Sequence, residues 1–115
     1  MYRNSFIKFL CIHDEYKQRQ KIKISNLFNS TIIEFSQNNK EKTQKILTEI
    51  VNMKDPTYSP LSLYFIIDNS LIANQESINE LFDILIYETS LDKEIKNLII
   101  YKKGLYNADN ISEIE

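Results

Sequence analysis

Cys11 and His13 stand two residues apart, and they are the one cysteine and the one histidine of the chain. A thiol beside an imidazole can form an activated nucleophile when the two side chains face each other. Residues at i and i+2 on a helix do not face each other, so this spacing does not make the pair. Nor do two ligands make a zinc site, which needs about four. A lone cysteine also excludes a disulfide within the chain. The ordinary reading is a buried thiol and a surface imidazole. The carboxylate pairs Asp14-Glu15 and Glu113 with Glu115 diverge on a helix and have no desolvated cleft around them, so they read as surface charge rather than an acid–base couple. With one glycine there is no phosphate-binding loop. No cluster of ligands or nucleophiles emerges, and no catalytic residue, cofactor or metal is expected.

Charge narrows the partners. The chain carries 14 basic and 16 acidic residues for a formal net charge of −2, which does not suit counterion release from nucleic acid. The one basic cluster, Lys17-Gln18-Arg19-Gln20-Lys21-Ile22-Lys23, could serve a nucleic acid or an anionic lipid. It lacks interleaved stacking aromatics and reads as a solvated helix face. A small helical regulatory or nucleic-acid-binding protein stays as the alternative function, marked by binding that would weaken steeply with salt.

The elements that position these residues are helices. Leu27 to Phe35, Leu63 to Leu71 and Leu98 to Tyr106 can be laid over one another at a spacing of roughly 35 residues, each followed by a polar break at Asn38-Asn39, Asn74-Gln75 or Asp109-Asn110. A second apolar stripe follows the first two breaks, Ile46-Leu47 with Ile50-Val51 and Leu81-Phe82 with Leu85-Ile86. Helix, break and second helix at this period predict an all-α chain of antiparallel helix pairs stacked as an array. A helix is expected from about Asp14, then 1A over about Ser25–Gln37 with Ser25 as cap or break, and 1B over about Lys40–Met53 closed by Asp55-Pro56. Helix 2A opens at Ser59-Pro60 with Ser59 as N-cap. Helix 2B follows Ser77, boxed with Glu80, and 3A starts at Asp92. Gly104 either lies inside 3A or ends it. Asn110 to Glu115 reads as the first turn of a helix 3B.

Apolar residues make up 43% of the 115 residues, enough for one folded domain. We divide it into an apolar and basic segment, 1–23, and the helical repeats, 24–115. Phe6 to Ile12 is far short of the about 20 apolar residues of a bilayer span and lacks a signal-peptide cleavage site, so the chain as it stands reads as soluble. The segment fits the remnant of a membrane anchor.

A two-helix unit of about 34 residues closing on Asp55-Pro56 resembles a tetratricopeptide repeat. The aromatic expected early in the first helix is replaced by Leu27, Leu63 and Leu98, and the small residue expected at mid-helix by Thr31, Ile67 and Lys102. Tyr58-Ser59-Pro60-Leu61-Ser62-Leu63-Tyr64 and then Lys96 to Leu105 are similar to the divergent repeat domain of the ancillary Sec-translocon subunit and cell-division coordinator family. The resemblance covers about Lys21 to Glu115 and implies a right-handed tetratricopeptide-like array. It also implies a place on the periplasmic face of the inner membrane, behind a single span that this chain lacks. The implied role is non-enzymatic: holding and handing over polypeptides that emerge from the translocon. A groove lined by first helices would present Tyr64, Asp68, Tyr101 and Lys103 to a protein partner. Packing of Tyr64 and Tyr101 in the core is the other reading. Ile95, Leu98, Ile99 and Leu105 lack the second helix that would cover them, which predicts self-association, a covering partner or a fraying last helix.

Overall fold

The computed structural model describes residues 2–114, with the side chains of Lys8 and of residues 11–110. The apolar side chains of Phe6, Ile7, Phe9 and Leu10, and the acidic pair Glu113 and Glu115, lie outside these. Among the described residues the chain is wholly helical: α1 (Tyr2–Glu34), a 3-10 turn (Gln37–Asn39), α2 (Lys40–Asn52), α3 (Tyr58–Asp68), α4 (Gln75–Asp83) widening to a π-helical turn (Ile84–Glu88), and α5 (Lys93–Ile114).

The core follows the apolar period. Leu47, Ile50 and Val51 of α2, Leu63 and Ile66 of α3, Ile78, Leu81 and Phe82 of α4, Leu85 and Ile86 of its π turn, and Ile99 of α5 are buried together. Each such side chain contributes about 1.5–3 kcal/mol on burial. Ile24, Leu27, Phe28 and Ile32 bring the C-terminal half of α1 onto this core. The preceding stretch of α1 runs beyond it, with Cys11 to Arg19 exposed throughout, and the molecule is correspondingly long, 69 × 33 × 18 Å.

Helix directions can be read from contacts. Phe28 meets Tyr58 at 5.4 Å between ring centroids and Phe35 meets Phe65 at 5.2 Å, so the end of α1 runs parallel to α3. The Ser59 hydroxyl donates to the Ile50 carbonyl at 2.7 Å, which folds α3 back on α2. Lys103 reaches Asp83 at 2.8 Å and Asn107 reaches Asn79 at 2.9 Å, so α5 is antiparallel to α4.

Several boundaries differ from the sequence expectation. There is no break at Ser25: α1 passes through it, and the Ser25 hydroxyl accepts from the Tyr58 hydroxyl at 2.9 Å instead of capping a helix. No glycine or proline interrupts this stretch, so nothing opposes continuation. Asn39 makes the break that follows. Its amide donates to Glu34 O and its side-chain oxygen accepts from Ser36 N, both at 2.8 Å. Helix α3 is capped by Asp55, whose carboxylate accepts from Thr57 N at 2.9 Å and Tyr58 N at 2.7 Å, and not by Ser59, which lies buried inside the first turn. Ser77 is not the cap of α4. Asn74 takes that place, accepting from Ser77 N at 3.0 Å. Helix α5 continues through Gly104 and through Asn110, whose amide back-bonds to Tyr106 O at 3.0 Å. There is therefore no break at Asp109-Asn110 and no separate helix 3B in residues 110–114. No side chain crowds Gly104: a Cβ there would meet nothing within 4 Å.

Two turns use left-handed backbone without glycine, Lys54 (φ 57°) and Ser70 (φ 52°). Ser70 closes α3 in a Schellman arrangement, with Leu71 N donating to Ile66 O at 2.9 Å and Ser70 N to Ile67 O at 3.2 Å.

Candidate functional site

Helices α3 and α5 share the direction of the chain but do not close on each other. At the other flank of α3, the rings of Phe28 and Phe35 fill the space to α1. Towards α5 no ring pair forms among the described residues, and a groove remains. It holds two cavities of about 610 and 520 Å³ in succession. The first is lined by Pro60, Leu61 and Tyr64 of α3 and by Asp92, Ile95 and Leu98 of α5. The second runs from Tyr64 and Ile67 to Leu98, Tyr101, Leu105 and Asp109. Tyr64 and Leu98 belong to both, so the cavities form one trough.

The helical period explains the lining. Ile99 and Tyr106 of α5 point into the core, which places Ile95, Leu98 and Leu105 on the flank that faces α3. The sequence reading expected these to be uncovered, and Leu98 is 59% exposed, Leu105 48% and Ile95 41%. Ile99 departs from that expectation: it is fully buried, because it packs back on the rest of the core rather than into the groove.

One side chain crosses the trough. Lys102 of α5 places its ammonium 4.1 Å from the Tyr64 ring centroid and 3.8 Å from the Asp68 carboxylate of α3. A cation over an aromatic face contributes about 0.5–1 kcal/mol at a partly exposed site. Burial pushes the Tyr64 phenol above its ordinary value, since the surroundings penalise the phenolate.

Of the four residues singled out from sequence, the fold brings three to this trough. Tyr64 lines both cavities and is half-buried, so it belongs to core edge and groove at once. Tyr101 lines the second cavity and is 67% exposed. Asp68 joins through Lys102. Lys103 does not: it turns to the opposite flank of α5 and pairs with Asp83 of α4. Position explains this, since Lys102 and Lys103 differ by about 100° around the helix. Sequence reasoning missed Lys102, having treated it as a departure from a repeat pattern. It used Pro56 and Pro60 as helix boundaries and did not foresee that both line the trough.

Behind the groove, α4 and α5 are joined by a polar cluster. The Asn107 side-chain oxygen accepts from Gln75 at 2.8 Å and Asn79 at 2.9 Å, while its amide donates to Asn79 at 2.9 Å and to Lys103 O at 2.8 Å. The geometry is satisfied in both directions and fixes the register of α5. Ser62 is different. It is fully buried, and its hydroxyl is the one buried side-chain polar atom among the described residues without a partner.

The remaining candidates stand apart from the trough. Cys11 is exposed on α1 rather than buried, on the stretch that runs beyond the core. His13 and the Asp14-Glu15 pair are exposed on the same stretch. No group of three or more metal-ligating side chains gathers among the described residues. No helix of the described residues is long and apolar enough to cross a membrane. Comparison of the chain with family models, with curated proteins and with solved structures finds no match.

Proposed function

We propose that the chain is a non-enzymatic binding module that takes a polypeptide partner into the α3–α5 trough. The observation that carries this reading is the trough itself: two adjoining cavities walled by tyrosine, leucine, isoleucine and proline, in a helical chain. Tyrosine and aliphatic residues in a concavity are an ordinary means by which helical scaffolds hold peptides.

A tetratricopeptide-like array is the architecture we propose for it. Three features support that reading. The end of α1 is parallel to α3, the lining of the trough runs in the same order along α3 and α5, and each intervening helix folds back antiparallel. The role implied by the resemblance, holding polypeptides that emerge from the translocon at the periplasmic face of the inner membrane, is proposed on the same residues. A groove of apolar walls suits chains that still expose their apolar side chains. Envelope placement rests on the resemblance alone.

The test is a substitution at the shared wall. Leu98→Glu puts a charge between the two cavities at an exposed position and should leave the fold intact. Ile33→Glu, on the exposed face of α1, is the control. Binding of a reduced, unfolded polypeptide, followed by fluorescence anisotropy, should fall at least tenfold for Leu98→Glu and stay unchanged for the control. Equal binding by both variants would remove the trough from the function. Binding that survives Leu98→Glu but falls steeply with salt would favour the regulatory or nucleic-acid-binding alternative.

A further inference from the structure

The stretch of α1 that runs beyond the core is basic, while the rest of the molecule is acidic. Residues 1–23 hold six of the 14 basic residues, Arg3, Lys8, Lys17, Arg19, Lys21 and Lys23, against Asp14 and Glu15, a net +4. Residues 24–115 hold the other eight against fourteen of the 16 acidic residues, a net −6. Lys8, Lys17, Arg19, Lys21 and Lys23 are all exposed. Arg19 reaches Glu15 only at 4.0 Å, with both side chains open to water. The two charge fields are also separated in space. Ile24 packs on the core, and Lys17 and Lys8 precede it by about 10 and 24 Å along the helix axis. Screening sets in over about 8 Å at physiological salt. The outer part of the arm therefore acts outside the field of the acidic body.

The same arm is apolar. Ile12 and Tyr16, one turn apart, are 66% and 61% exposed. Ahead of them α1 carries Phe6-Ile7-Lys8-Phe9-Leu10. Phe6 and Ile7 are neighbours in sequence, as are Phe9 and Leu10, and neighbours on a helix differ by about 100°. These residues do not keep to one stripe. A partner helix buries a single stripe. The fluid boundary between lipid headgroups and acyl chains imposes no such register. Nucleic acid would use the basic residues and leave the apolar ones in water. No helix of the described residues is long and apolar enough to cross a bilayer, so the contact considered is with a bilayer surface.

We infer that residues 2–23 of α1 form an arm that docks on an anionic membrane surface. Lys17, Arg19, Lys21 and Lys23 meet the negative headgroups, and the apolar residues from Phe6 to Tyr16 enter the headgroup–acyl boundary. Either signal alone holds weakly, and a stable surface contact needs the two together. The acidic body is repelled by the same surface, which leaves the contact to the arm. The inference does not rest on the trough or on its occupant.

The experiment is co-sedimentation of the full chain with phosphatidylcholine vesicles, alone or with about one third phosphatidylserine. Binding to the anionic vesicles should be at least about tenfold tighter at low salt and should weaken as salt rises. Lys17→Glu with Lys21→Glu should lose about tenfold or more. Lys42→Glu with Lys45→Glu makes the same charge change at exposed positions of α2 and should lose less than about twofold. Ile12→Glu should lose about tenfold, and Leu98→Glu in the trough should bind as the parent does. Tyr16→Trp should give a blue-shifted emission on anionic vesicles, and Ile33→Trp, exposed at the other end of α1, should not. Equal binding to both vesicles, equal losses in the two lysine pairs, or no emission shift from Tyr16→Trp would overturn the inference. Arm-dependent dimerisation in ultracentrifugation, or arm-dependent binding of duplex DNA, without vesicle binding would also overturn it. The arm would then belong to a second copy or to nucleic acid.

Discussion

Two serines on one helix should respond to the same substitution with opposite signs. Ser59 and Ser62 lie one turn apart on α3, and both are fully buried. The Ser59 hydroxyl donates to Ile50 O at 2.7 Å and accepts from Asp55 N at 2.8 Å. The Ser62 hydroxyl has no partner. An unpaired buried hydroxyl costs about 1–3 kcal/mol of desolvation. Replacing Ser62 by Ala removes that cost and adds a few tenths of a kcal/mol of helix propensity. Against this stand the dispersion contacts of one lost atom, about 0.1–0.2 kcal/mol each. Ser62→Ala should therefore stabilise the chain by about 1–2 kcal/mol, or roughly 5–10 °C in melting temperature for a domain of this size. Ser59→Ala leaves the Ile50 carbonyl and the Asp55 amide without their partner and should destabilise by about 1–3 kcal/mol. Urea unfolding followed by circular dichroism gives both values on one axis. A Ser62→Ala variant less stable than the parent, or a Ser59→Ala variant unchanged, would refute the hydrogen-bond reasoning for the α2–α3 junction.

Backbone and network predictions follow the same logic. Gly104→Ala places a Cβ in open space within α5 and should stabilise by about 0.5–1 kcal/mol, and Ser70→Gly relieves a left-handed serine and should add about 1 kcal/mol, both read as shifts in urea midpoint. Asn107→Ala removes the hub of the α4–α5 cluster and should cost about 2–3 kcal/mol, with hydrogen exchange rising first in α5; unchanged α5 protection would contradict the register role of Asn107. Tyr64 gives a pH signature. Its folded value is raised by burial, so its contribution is intact below the unfolded tyrosine value and is lost as pH climbs through the folded one. Stability above about pH 10 should fall more steeply in the parent than in Tyr64→Phe, whose ring cannot ionise.

The helices and their inner faces were legible because they rest on period alone. Leu47, Ile50, Val51, Phe82 and Leu85 declare themselves by spacing, and they are the core. The uncovered flank of α5 was legible for the same reason at Ile95, Leu98 and Leu105. Boundaries were less so. Ser25, Ser59 and Ser77 each look like caps, yet Asp55 and Asn74 supply the side-chain oxygens that reach the free amides. Serine at a helix start and serine in a helix interior are the same letter, and only the three-dimensional course of the chain separates them. The placement of Lys102 and Lys103 turned on about 100° of helix rotation. The sequence contained both residues, but the phase of α5 against α3 follows from where Ile99 packs and from the Asn107 cluster.

Whether polypeptide seats in the trough between α3 and α5 can be read residue by residue. The most direct measurement is a backbone amide chemical-shift titration of the isotope-labelled chain with a reduced, unfolded polypeptide. The largest shifts should fall on the lining residues Leu61, Tyr64, Ile95, Leu98, Tyr101 and Leu105, with α2 and the exposed stretch of α1 unmoved. Shifts confined to α1, or spread evenly over the surface with the trough residues unmoved, would contradict it.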